Sequence, residues 1–152
     1  MKFEGIYTPA VTPHKPDGEI DWAVYSEVLE SLIEAKVHGI IIGGSTGEYY
    51  AQTPEERTEL AAYAKDVIGT RVQLIVSTGA IRTEDAVQYA KDAKAIKADA
   101  ILVTSPPYAL PTEEENAIHA LAVDKAADLP IMLYNYPGRM SVSMGNEYFK
   151  AV

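Results

Sequence analysis

Ser45 and Thr46 stand side by side in Ile40-Ile41-Ile42-Gly43-Gly44-Ser45-Thr46-Gly47-Glu48, where an apolar run gives way to a glycine-rich turn. Hydroxyls and free backbone N–H groups on such a turn can hold an anion such as a carboxylate. The same side chains could equally bond only their own backbone. Tyr134 ends a second apolar run, Ile131-Met132-Leu133. A phenol at a strand end can pass a proton to or from a carbonyl-derived atom. Tyr108, beyond Ser105-Pro106-Pro107, stands in the same relation to a third run, although among 10 tyrosines packing is the commoner role. Arg139 follows Pro137-Gly138 and could clamp a carboxylate through its planar fork, or form a surface ion pair in so acidic a chain. His14, His38 and His119 are too scattered for metal-ligand spacing, and His38 beside Gly39 reads as a helix C-terminal residue. The chain offers no metal site and no cofactor motif: no Gly-x-Gly-x-x-Gly follows the first strand, and there is no Walker lysine.

Short β-branched runs alternate with helical periodicity along the whole chain. Ile6 to Thr12, interrupted by Pro9, reads as the first strand, and Asp21 as the cap of a helix whose face carries Tyr25, Val28, Leu29, Leu32 and Ile33. Gly39 is expected to stop that helix before a second strand, Ile40 to Ile42. Thr53-Pro54-Glu55-Glu56 combines an N-cap hydroxyl, a first-turn proline and a capping-box glutamate, and opens a helix through Leu60, Ala61, Ala64, Val67 and Ile68. Val72 to Val76 is the third strand. Thr83 is expected to cap the next helix, with Ala86, Val87, Ala90 and Ala93 inward. Ala100 to Val103 is the fourth strand. Thr112 and Glu115 repeat the capping box before a helix with Ile118, Leu121 and Ala122 as its apolar stripe. Ile131 to Tyr134 is the fifth strand, and Gly145 onward can begin a further helix.

Strand openings recur about every 30 residues, the unit length of a (β/α)₈ barrel of about 250 residues. The 152 residues therefore hold about five units, read as one partial barrel domain spanning 1–152. Nearly continuous apolar strands mean a parallel sheet covered by helices. An open doubly wound sheet of five strands fits the same lengths. A net charge of −9 argues against nucleic acid or an anionic membrane surface as partner. With no cysteine and no apolar run long enough to span a bilayer, the reading is a cytoplasmic protein.

Three ordered segments carry a resemblance: Gly5-Ile6 with Thr8-Pro9-Ala10-Val11-Thr12-Pro13, then Gly44-Ser45-Thr46-Gly47-Glu48, then Tyr134-Asn135-Tyr136-Pro137-Gly138-Arg139. Together they resemble the dihydrodipicolinate synthase / N-acetylneuraminate lyase family, over most of this chain but only the first part of a family member. The resemblance implies a TIM (β/α)₈ barrel, a homo-oligomer (usually a tetramer), and a Schiff base between a lysine and pyruvate or another 2-oxo acid, whose partner is an aldehyde or sugar acid. It implies that Ser45 and Thr46 hold the 2-oxo acid carboxylate and that Tyr134 shuttles the proton. Ser45 and Tyr108 would extend that relay, Tyr108 toward a neighbouring subunit, while Arg139 would bind the carboxylate of the aldehyde partner. Pro107, Ile81, Tyr136 and Met140-Ser141 depart from the synthase pattern and point to a paralogue with another 2-oxo acid or sugar-acid substrate.

An imine requires an amine in a desolvated barrel, and the resemblance puts that lysine on a sixth strand, about one unit past Tyr134. None of Lys2, Lys15, Lys36, Lys65, Lys91, Lys94, Lys97, Lys125 and Lys150 falls at the carboxyl end of an expected strand. The chain alone is expected to form no imine and to leave two open sheet edges and an exposed apolar interior. The other reading is a non-catalytic half-barrel, an assembly or small-anion-binding module.

Overall fold

The strand Gly39–Ile42 (β2) is buried at all four positions, as a strand covered on both faces must be. In the computed structural model, which describes residues 2–152, it lies between β1 (Tyr7–Pro9) and β3 (Gln73–Ser77), followed by β4 (Ala100–Thr104) and β5 (Ile131–Tyr134). All pairings are parallel, and the order is β1-β2-β3-β4-β5. A doubly wound sheet reverses its order at a switch point; this one never does. The five strands with their helices are the N-terminal half of a (β/α)₈ barrel.

The helices α1 (Trp22–Glu34), α2 (Pro54–Ile68), α3 (Thr83–Ala95) and α4 (Glu113–Ala127) pack on one face of the sheet. There Ile40, Ile42, Leu74, Val76, Ile101 and Val103 meet Leu29, Leu60, Ile68, Ala90 and Val123. Each fully buried aliphatic side chain contributes about 1.5–3 kcal/mol. The opposite face holds a smaller cluster of Ile41, Ile75, Ala100 and Leu102, flanked by Tyr7, Met132 and Tyr134. On this interior face the middle strands are buried, and the expected exposure is confined to the two edges, where Tyr7, Met132 and Tyr134 are half-buried. Among the described residues β1 and β5 each have one strand neighbour, so both edges are open.

Side-chain caps set the starts of α1, α2 and α4. Asp21 accepts from Val24 N, and Thr53–Glu56 and Thr112–Glu115 close reciprocal capping boxes. Four expectations need correction. β1 is confined to Tyr7–Pro9, because Ala10 onward turns away after its N–H bonds Ile41 O. Helix α1 ends at Glu34; Lys36, at φ 60°, makes the left-handed turn, and Gly39 already belongs to β2. Arg82, not Thr83, is the cap of α3, since the Thr83 hydroxyl is engaged by His119 Nδ1 at 3.0 Å. On α4 Ile118 and Leu121 face outward, and the buried face carries Asn116, Ala117, His119, Ala120 and Val123. Alanines let α4 approach α3 closely, while Asn116 Nδ2 donates to Ser105 Oγ at 2.8 Å and His119 Nδ1 meets the Thr83 hydroxyl. After β5 come two short helices, α5 (Pro137–Met140) and α6 (Asn146–Ala151), the second matching the helix expected after Gly145.

Candidate functional site

The carboxyl ends of the five parallel strands form one rim, and three connections supply its side chains. After β2 the chain passes through Gly43 at φ +62°, a left-handed conformation that favours glycine. Glu48 N–H then bonds Ser45 O at 3.3 Å, Tyr49 N–H bonds Gly44 O at 3.5 Å, and Tyr49–Ala51 forms a 3₁₀ turn. The turn is stapled from two sides. Thr12 Oγ1 donates to Gly47 O at 2.9 Å, and Gln52 Nε2 donates to the same carbonyl at 2.7 Å. A Cβ at Gly47 would stand 3.1 Å from Ala10 O, so the close approach of the β1 end calls for glycine. The threonine-proline segment after β1 thus anchors the turn that carries Ser45 and Thr46.

Ser45 Oγ and Tyr134 Oη lie 3.4 Å apart, at the long end of hydrogen-bond range, across 89 positions of sequence. Tyr134 pairs in register with Thr104 on β4, so both project to the barrel-interior face. Thr104 Oγ1 is buried and has no hydrogen-bond partner among the described residues. Tyr136 meets the Tyr134 ring edge-on, with centroids 6.0 Å apart. The arrangement can hold a small anion at the Ser45 turn while a phenol and a hydroxyl exchange a proton beside it.

The other expected residues are more dispersed. Thr46 is on the same turn as Ser45 and exposed. Tyr108 is 91% exposed at φ 68° and bonds neither Ser45 nor Tyr134. Arg139 lies exposed on α5 and takes part in none of the ion pairs among the described residues. The loop carrying it is held by Asn135, whose side chain donates to Met144 O at 3.2 Å and accepts from Met144 N at 3.1 Å.

Two residues at the rim escaped sequence reasoning. Tyr49 is buried, its ring packed beside Gly79. Burial pushes its phenol above the ordinary range and Arg57 pulls it back, while Tyr134 and Tyr50 add to the rise. Arg57 reaches from α2 to the end of β3. A run such as Glu55-Glu56-Arg57 reads as a solvated helix start, and only the position of Pro54 as first helical residue, which turns Arg57 toward the sheet, carried a hint. Among the described residues no group of three His, Asp or Glu side chains could hold a metal ion, and no helix is long and apolar enough to cross a membrane.

All nine lysines are described, and none forms a hydrogen bond or ion pair with Ser45, Thr46, Tyr134 or their neighbours at the rim. Eight are exposed; Lys65, half-buried, lies near the end of α2 against Asp99 at 3.8 Å, at the opposite end of the strands.

The profile of the Dihydrodipicolinate synthetase family matches residues 2–152. The 4-hydroxy-tetrahydrodipicolinate synthase of Leptospira biflexa is 36% identical over 142 residues, covering 93% of this chain and 48% of that protein. The chloride-inhibited dihydrodipicolinate synthase of Acinetobacter baumannii, complexed with pyruvate, superposes with a TM-score of 0.92 at 35% identity, over 97% of this chain and 50% of that one. CdNal of Clostridium difficile, in complex with mannosamine, superposes with a TM-score of 0.94 at 26% identity, over 99% and 52%. The chain spans about half the length of these relatives. With its rim turns, its strand order and nearly its whole length accounted for by that match, the chain belongs to the dihydrodipicolinate synthetase family.

Proposed function

We propose that these residues form the carboxylate-holding and proton-relay half of a Schiff-base lyase or aldolase acting on pyruvate or another 2-oxo acid. The single observation that carries this reading is the Ser45–Tyr134 contact at 3.4 Å, on a rim turn rich in backbone N–H groups. Ser45 and Thr46 hold the 2-oxo acid carboxylate. Tyr134 moves the proton during imine formation and during carbon–carbon or carbon–oxygen bond making and breaking. Ser45 continues the relay. Arg139, exposed on α5 and in no ion pair among the described residues, suits the carboxylate of an aldehyde or sugar-acid partner. Tyr108, standing out from the rim, suits contact with a second copy in a homo-oligomer. A relative of the same fold complexed with pyruvate supports the substrate class.

The imine-forming amine lies outside residues 1–152, in the half of the barrel that the relatives possess and this chain does not span. Nine lysines, none bonded to Ser45, Thr46 or Tyr134, support that placement. Borohydride reduction with pyruvate tests it. The 152 residues alone should gain no mass, whereas a full barrel made by joining them to the C-terminal half of a relative should gain one reduced pyruvate on a lysine of the added half. Reduction onto any of the nine lysines here overturns the assignment.

A further inference from the structure

Arg57 sits on the first turns of α2, yet its guanidinium is half-buried and serves backbone carbonyls. Nη1 donates to Gly79 O at 2.7 Å and Nη2 to Ser77 O at 2.9 Å, at the carboxyl end of β3. The guanidinium carbon lies over two aromatic rings, 3.7 Å from the Tyr89 centroid and 5.2 Å from the Tyr49 centroid. Tyr49 is the residue whose N–H closes the Ser45 turn on Gly44 O. Its ring also presses on Gly79, where a Cβ would stand 3.1 Å from Tyr49 Cζ and 3.3 Å from Thr104 Oγ1. One side chain therefore touches the connection after β3 directly and the connection after β2 through a single stacked ring.

We propose that Arg57 is a positioning residue that locks the Ser45–Thr46 turn and the end of β3 into one rigid rim, with Tyr49 as the coupling ring. The proposal rests on the 2-oxo acid reading only for what the rim is used for; the coupling itself is a property of this chain. A planar fork can donate to two carbonyls at once while its delocalised charge lies over aromatic rings, so lysine is a poor replacement.

Amide hydrogen exchange on the chain, followed by NMR, tests it. In Arg57→Gln and Arg57→Lys the Glu48 and Tyr49 amides should exchange about tenfold faster, together with the hydrogen-bonded Thr78 and Gly79 amides, while Ile41, Ile75 and Leu102 keep their protection. Tyr49→Leu leaves both Arg57 hydrogen bonds in place and should release the turn amides alone; Tyr49→Phe, which keeps the ring, should exchange like the parent. Unchanged turn amides in a folded Arg57→Gln or Tyr49→Leu chain overturn the proposal, and so does uniform acceleration of all strands. Should Arg57→Gln fail to fold, the Tyr49 pair decides. Pyruvate titration, read by ligand line broadening, separates the two readings. Weakened binding in Arg57→Gln supports both, whereas a parent chain that binds no pyruvate overturns the functional reading and leaves exchange to judge Arg57.

Discussion

Tyr134 Oη and Ser45 Oγ face each other at 3.4 Å from strands that never touch: β2 and β5 are separated in the sheet by β3 and β4. Curvature of the half-barrel brings their ends together. In a complete barrel built on this chain, Tyr134→Phe removes the hydroxyl proposed to carry the proton and keeps the ring that meets Tyr136. The expected loss in kcat is about 10²–10⁴-fold, the range for general acid–base groups. Steady-state kinetics with intact folding by circular dichroism checks it; unchanged kcat would remove Tyr134 from the chemistry.

Thr104 buries a hydroxyl with no partner among the described residues, next to Tyr134 in the register. Replacing an unsatisfied buried hydroxyl by a methyl group relieves its desolvation cost. Thr104→Val should therefore stabilise the chain by about 1 kcal/mol in urea denaturation. A loss of stability would mean that the hydroxyl has a structural partner.

His119 is buried on α4 between the Thr83 hydroxyl and the Thr104 backbone, and burial holds its imidazole below the ordinary value of 6.5. The folded state thus binds the proton less readily than the unfolded state. The sign follows: stability is complete above about pH 6.5 and declines as pH falls below it toward the depressed folded value. Urea midpoints measured from pH 7.5 to pH 5 should fall more in the parent than in His119→Gln. Equal slopes would show that His119 titrates alike in both states.

Gly39 lies on the interior face of β2, where a Cβ would stand 2.6 Å from the Tyr7 ring and 3.1 Å from Gln73 O. Gly39→Ala must push Tyr7 off its hydrogen bond to Gln73 Oε1, now 2.5 Å long. Overpacking of this kind costs about 1–3 kcal/mol, which chemical denaturation would register. Adding Tyr7→Ala should make the two changes non-additive; strictly additive effects would refute the clash.

Much of the architecture was legible because its causes are local. The capping boxes at Thr53 and Thr112 join groups three residues apart, and the buried strands announce themselves as apolar runs between helical periods. The strand order was open, since an open doubly wound sheet has the same element lengths; hydrogen bonding between distant strands settled it. On α4 the apolar pattern pointed to Ile118 and Leu121, but the neighbours of that face, Thr83 and Ser105, reward His119 and Asn116. Buried polar residues of this type are invisible to hydrophobic periodicity, because their partners come from other elements.

At the rim the division is the same. Residue types alone established that hydroxyls, a phenol and a guanidinium stand on a glycine-rich turn and after two apolar runs, since those groups reside in the side chains themselves. Tertiary structure alone decided which of them meet. It joined Ser45 to Tyr134, left Tyr108 and Arg139 exposed and bonded to neither, and enlisted Arg57 and Tyr49, whose contacts at Ser77 and Gly79 are 20 and more residues away. Distances between side chains depend on sheet curvature and helix packing, which are sums over the whole chain and are written in no single segment of it.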